Sequence, residues 1–324
     1  MKKRTAFIIA IFFLFFKTGL CQTNHLLLDK IKQDIQLLMP GLTNWQNVST
    51  SVMLTQGTGM RTREDSFALV TFPDKNRIYF RENTQLNFDS VDYTNRNMLI
   101  TFSRGVAILD ISREGDQRWD VTIDGVLARI KMDTAVVIIK NLHNSLIVSV
   151  LEGSARVFTR ENKEIDITEG FGIEISQDLF TSGPFPLPPP PVPEFPDDNS
   201  IITPGLTLKW SKIEGAILYR LEIALDEDFV FIVSHKEVKE NVFNIGKLPE
   251  GQYLWRVCGI NRNNLEGAFF DHNQFILQKS YTSLLIKTDD DELPAGEAVM
   301  EEDAVGGVVL SALIVVSFIL LFLI

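Results

Sequence analysis

Residues 146–175 read LIVSVLEGSARVFTRENKEIDITEGFGIEI, and this stretch decides the fold class. Apolar and β-branched residues gather in four short segments, 146–151, 155–159, 164–168 and 171–176. Glu152-Gly153 and Glu169-Gly170 stand between them as turns. Short segments of this composition, bounded by turn residues, are the pattern of β-strands.

The pattern continues toward the N-terminus. Strands are expected at 66–72, 76–80, 84–88, 97–102, 105–111, 119–123, 126–132 and 134–139. Turn residues such as Pro73-Asp74, Asn83 and Gly115-Asp116 fall between them. In 126–132 the alternation places Val126, Ala128, Ile130 and Met132 on one face, with Leu127, Arg129 and Lys131 on the other. Roughly ten-residue spacing over residues 45–180 predicts an all-β domain, either a β-sandwich or a coiled β-roll. Ahead of it, residues 22–44 read as a short amphipathic helix and its lead-in. Leu27, Ile31, Ile35 and Leu38 recur at helical spacing, and Pro40-Gly41 closes the pattern.

The two ends of the chain differ from its body. Lys2, Lys3 and Arg4 precede an apolar run from Ala6 to Phe16, and Gly19 and Cys21 follow. This is the anatomy of a signal peptide at residues 1–21. Residues 305–324 carry no charge, and twenty residues rise about 30 Å as a helix, the thickness of a bilayer core. They are expected to cross the membrane, making the lipid bilayer a partner. The acidic segment 281–304 reads as a flexible stalk. Together these features place the body outside the cytoplasm, with the periplasmic face of a bacterial inner membrane as the expected location. Loss of residues 1–21 removes four positive charges and takes the formal charge from −11 to −15. So acidic a body argues against nucleic acid as a partner. Cys258 is then the only cysteine, so no intramolecular disulfide is available and the thiol reads as buried and structural.

The order of motifs is also familiar. GTGMRTREDSFALVTFPDKNRIYFRENTQLNF, from Gly57 to Phe88, resembles the opening of a FecR-type extracytoplasmic domain. The stretch 146–175 resembles the close of that domain. Residues 200–280 form a second unit. LPEGQYLWRV, at 248–257, resembles the late strands of a fibronectin type III domain. The resemblance implies a β-sandwich in which the Tyr253 hydroxyl bonds back to the upstream backbone. Trp210, Tyr219, Tyr253 and Trp255 are its expected structural residues. Between the units, residues 181–199 contain PFPLPPPPVPEFP. Polyproline II at about 3.1 Å per residue makes this a linker and strut of roughly 40 Å.

Chemistry is sparse. His25, His143, His235 and His272 form no metal-binding spacing, and one cysteine builds no zinc cluster. No nucleophile elbow or Walker sequence occurs. Trp45, Trp119, Trp210 and Trp255 all read as core residues. No catalytic, cofactor or metal residues are therefore expected. The leading expectation is a non-enzymatic, membrane-anchored binding or scaffold protein presenting its β domains to an envelope protein or peptidoglycan. The alternative, implied by the resemblance, is a transmembrane signal regulator of the FecR and sigma-factor kind. Against it stands the lack of an N-terminal cytoplasmic helical segment. A carbohydrate-active enzyme is the third reading.

Overall fold

A computed structural model describes residues 25–111, 119–203, 205 and 207–278. The expected signal peptide, stalk and transmembrane helix lie outside the described residues. Among the described residues the regular elements are all β-strands, and no helix is long and apolar enough to cross a membrane.

The first unit opens with β1 (Leu26–Lys32), β2 (Ile35–Leu38), β3 (Gln46–Val48), β4 (Val52–Leu54) and β5 (Thr58–Thr62). It continues through β6 (Phe67–Thr71), β7 (Arg77–Phe80), β8 (Gln85–Asp92), β9 (Asn97–Asp110) and β10 (Asp120–Gly125). It ends with β11 (Ala128–Met132), β12 (Ala135–Asn141), β13 (Ser145–Thr159), β14 (Glu164–Thr168), β15 (Phe171–Ser176) and β16 (Thr181–Pro186).

These strands make two layers. One runs β4-β1-β6-β7-β9-β12-β13-β15-β16. The other runs β3-β2-β5-β8-β9-β10-β11-β13-β14. All pairings are antiparallel except β9–β10. β9 and β13 belong to both layers. The first half of β9 pairs with β8 and β10, and the rest pairs with β7 and β12. In β13 the order is reversed, with residues 145–153 in the first layer and 154–159 in the second.

Glycine permits each crossover. Gly105 and Gly153 have φ of 105° and 71°. A Cβ there would lie 2.4 Å from the Thr84 backbone and 2.3 Å from the Thr134 carbonyl oxygen, respectively. Only glycine satisfies both the left-handed backbone and the close approach. The two segments expected on either side of Gly105, and of Gly153, are therefore single bent strands. A sandwich whose layers share bent strands is a known solution for closing a two-sheet core. Its interior holds Leu28, Phe80, Phe88, Phe102, Ile130, Val148 and Val157, all at most 2% exposed.

The second unit consists of β17 (Pro193–Phe195), β18 (Ser200–Ile202), β19 (Thr207–Trp210), β20 (Ala216–Ala224), β21 (Ile232–Val238), β22 (Val242–Asn244), β23 (Gly251–Asn261) and β24 (Asn273–Leu277). A three-stranded sheet, β17-β19-β22, faces a five-stranded sheet, β18-β24-β23-β20-β21. Trp210 and Trp255 are fully buried between them, beside Tyr219, Leu221, Tyr253, Val257 and Phe275.

Three expectations are corrected. Residues 26–38 form β1 and β2, not a helix. Leu26 and Leu28 are buried on one face of β1, Ile35 and Leu37 on one face of β2, and Gln33 turns between them at φ 61°. The apolar positions fit both periods, and pairing with β4, β5 and β6 selects the strand. In 126–132 only Ala128, Ile130 and Met132 share the buried face. Val126 is 66% exposed on the turn before β11, and Leu127 is buried instead.

The third correction is the proline strut. Residues 181–186 are β16, paired with β15, and 193–195 are β17, paired with β19. Leu187 N–H donates to the Gly170 carbonyl, and Ser211 N–H donates to the Val192 carbonyl. The run is thus built into both units and does not hold them apart. Proline is compatible with this because each strand lies at a sheet edge, where half of the N–H groups are not needed for pairing.

Candidate functional site

The two β units meet over the outer face of the first layer, and most of the buried charge in the described residues lies at that junction. Sequence locally prepares the arrangement. β20 alternates Arg220 and Glu222 on one face, and its register with β23 sets Glu222 directly opposite Arg256. After β23 the chain turns through Asn261, whose side-chain oxygen accepts the N–H groups of Asn263 and Leu265. That turn returns Glu266 to pair with Ile260. The first unit supplies Arg81, just after β7, and Lys140 from β12.

Glu266 is fully buried. Its Oε1 lies 2.8 Å from Arg81 Nη1, 2.9 Å from Lys140 Nζ and 3.1 Å from Arg220 Nε. Glu222, 1% exposed, accepts from Arg256 Nε at 2.9 Å and Nη2 at 2.7 Å, and lies 3.7 Å from Arg81. Lys140 Nζ also donates to the Asn264 carbonyl at 2.8 Å. Arg220 reaches outward to Glu237 at 2.6 Å. The Arg256 guanidinium lies 4.0 Å and 4.3 Å from the ring centres of Phe229 and Phe269.

Burial and charge pairing oppose one another at both carboxylates. Burial alone would raise the Glu266 carboxyl, but Arg81, Lys140 and Arg220 hold it well below the usual carboxylate range. Burial and the facing Arg256, Arg81 and Arg220 act on Glu222 in the same opposed way, and the cations again win. Arg81 is disfavoured by burial yet held charged by Glu266 and Glu222. Cys258 lies beside the cluster, and burial pushes its thiol far above the ordinary range, so it is an inert core residue.

An apolar patch surrounds the charges. Phe67, Leu69 and Tyr79 of the first unit pack on Ala224, Phe229, Val230, Ile232 and Leu254 of the second. On the rim, Lys30 bridges Asp226 and Asp228, and Arg77 joins Asp228. A cleft of about 410 Å³ opens alongside. Tyr79, Ile108, Val136 and Phe269 wall it, and Asp110, Glu152 and Asp271 edge it. Arg256 also reaches the lining, so apolar walls meet charges of both signs there.

Of the residues singled out in the sequence, Trp210, Tyr219, Tyr253 and Trp255 lie together in the core of the second unit, away from the junction. The Tyr253 hydroxyl donates to the Pro249 carbonyl at 2.9 Å, and the Tyr219 hydroxyl accepts the Ile213 N–H at 2.8 Å. Trp119 is buried in the first core, whereas Trp45 is half-buried beneath the Arg61 guanidinium. The junction charges were not anticipated. One signal pointed to them: AVVIIK in β12 is apolar without alternation, and a strand of that kind is covered on both faces.

The family model described as FecR protein matches residues 58–156, from the start of β5 into the second half of β13. No curated protein sequence matches the chain. Among solved structures, one described as an anti-sigma factor from Parabacteroides distasonis aligns at 17% identity with a TM-score of 0.34. The alignment covers 40% of this chain and 58% of that one, so this chain spans little more than half of its length. The structure FN3tt aligns at 20% identity and a TM-score of 0.22, over 30% of this chain and all of its own. The extracellular domain of a one-component system from B. thetaiotaomicron aligns at 10% identity and a TM-score of 0.22, over 71% and 36%.

Proposed function

We propose that the chain is a non-enzymatic signal regulator of the FecR kind, working in the bacterial envelope. The single observation that carries the reading is the FecR match over residues 58–156, which spans the middle of the first β unit. The second unit reads as a fibronectin type III-like sandwich, supported by the buried Trp210 and the hydrogen bond from the Tyr253 hydroxyl to Pro249. The buried junction supports a regulator whose two units respond as one body. In this reading the body is extracytoplasmic, and residues 305–324 hold it in the bilayer. The scaffold reading draws on the acid-edged cleft, which would serve to hold an envelope protein or glycan.

Deletion of the gene, with transcript profiling before and after complementation by the full chain, separates the two. A regulator gives a discrete set of transcripts that shifts on deletion and returns on complementation. An unchanged profile, accompanied by loss of envelope integrity, would overturn the regulatory reading in favour of the scaffold.

A further inference from the structure

At the margin of the junction, three side chains from separate strands and turns converge. Asp65 stands in the turn between β5 and β6, Glu82 follows β7, and His235 lies in β21 of the second unit. One ligand atom from each falls within 4.8 Å of the others. We propose that Asp65, Glu82 and His235 form a Zn²⁺ site that ties the two β units together. This does not depend on the regulatory reading above.

The geometry is close to what the metal requires. Zinc bonds of about 2.0–2.1 Å in a tetrahedron set neighbouring ligand atoms roughly 3.3 Å apart. His235 Nε2 and Glu82 Oε1 are already 3.2 Å apart. The other Glu82 oxygen accepts the Asp65 N–H at 2.7 Å, which orients the carboxylate as an outer-shell partner would. Phe67 packs against the imidazole ring at 5.5 Å and restricts its rotation. Asp65 is exposed on its turn, so its side chain is free to close the remaining distance. One imidazole and two carboxylates favour zinc over calcium or magnesium, and water would take the fourth position. The Lys32 ammonium opposes binding, since it lies near enough to interact with both Asp65 and Glu82. It is anchored instead on the Ile232 carbonyl, over the Phe67 ring. The site is therefore an attenuated one, suited to reversible loading.

The test uses the full chain in detergent, stripped with EDTA and titrated with ZnCl₂ in a calorimeter. One equivalent is expected to bind, and the apparent melting temperature is expected to rise. His235→Asn and Glu82→Gln should each weaken binding by at least about tenfold. Lys32→Met should tighten it, a result that a merely structural lysine would not give. X-ray absorption on the loaded native protein should show nitrogen and oxygen at about 2.0–2.1 Å and no sulfur. This last measurement decides the matter even if a variant does not fold. Absence of stoichiometric binding, sulfur ligation, or affinity unchanged in folded His235→Asn would overturn the proposal.

Discussion

Glu266 shows how much one side chain can organise. Its carboxylate pairs with Arg81, Lys140 and Arg220, which come from both β units. Truncating one member of a buried ion cluster leaves the others unpaired, at a cost of about 3–5 kcal/mol. Glu266→Ala is therefore expected to lower unfolding stability by that amount, read as a reduced urea midpoint. Arg156 offers a contrast within the same protein. It pairs with Asp166 and Glu164, but all three side chains are at least half exposed. Arg156→Ala should leave the urea midpoint essentially unchanged in the same assay, because solvent screens an exposed pair. At this scale the sequence was only half informative. Aromatic core residues such as Trp210 and Trp255 could be identified because size and apolarity predict burial wherever they fall. The partners of Glu266 could not, because Arg81 and Glu266 stand 185 positions apart and meet only through the tertiary fold.

Among the elements, the two bent strands carry most of the architecture. Gly153→Ala would combine left-handed strain with overpacking against Thr134, and is expected to cost about 2–5 kcal/mol. Gly170 shares a positive φ of 78° but has open space around it. Gly170→Ala should cost only about 1–2 kcal/mol. Thermal melts of the two variants side by side would check the difference, and equal losses would remove the special role given to the crossover. Strand positions in the first unit were legible because turn residues punctuate them at short intervals. That 97–102 and 105–111 are one strand was not, because Gly105 marks a turn and a bend with the same letter. The misread at 26–38 has a similar origin. Seven apolar positions in thirteen satisfy a helical stripe and a strand face together, and only the partners β4, β5 and β6 choose between them.

In the molecule as a whole, pH acts on the junction with a definite sign. Glu222, Glu266 and Asp228 are all held below their ordinary values, with burial working against the shift and nearby cations outweighing it. Depressed carboxyls stabilise the folded state fully above their unfolded values, 4.5 for Glu and 3.8 for Asp. That contribution fades as the pH falls below those values and is lost through the folded ones. Acidification from pH 7 to below 4 should therefore weaken the contact between the units, seen as an increased radius of gyration in small-angle scattering. An unchanged radius down to pH 3 would show that the contact withstands this loss. The proline run bears on the same contact. Pro188 lies so close to Gly259 and Gly267 that a Cβ on Gly267 would fall 1.9 Å from the Pro188 carbonyl oxygen. The connecting peptide is thus a packed part of the junction. A backbone cut engineered between Pro189 and Val192 should leave two fragments that travel as one particle through gel filtration. In that respect the chain resembles a heterodimer whose subunits happen to be translated together.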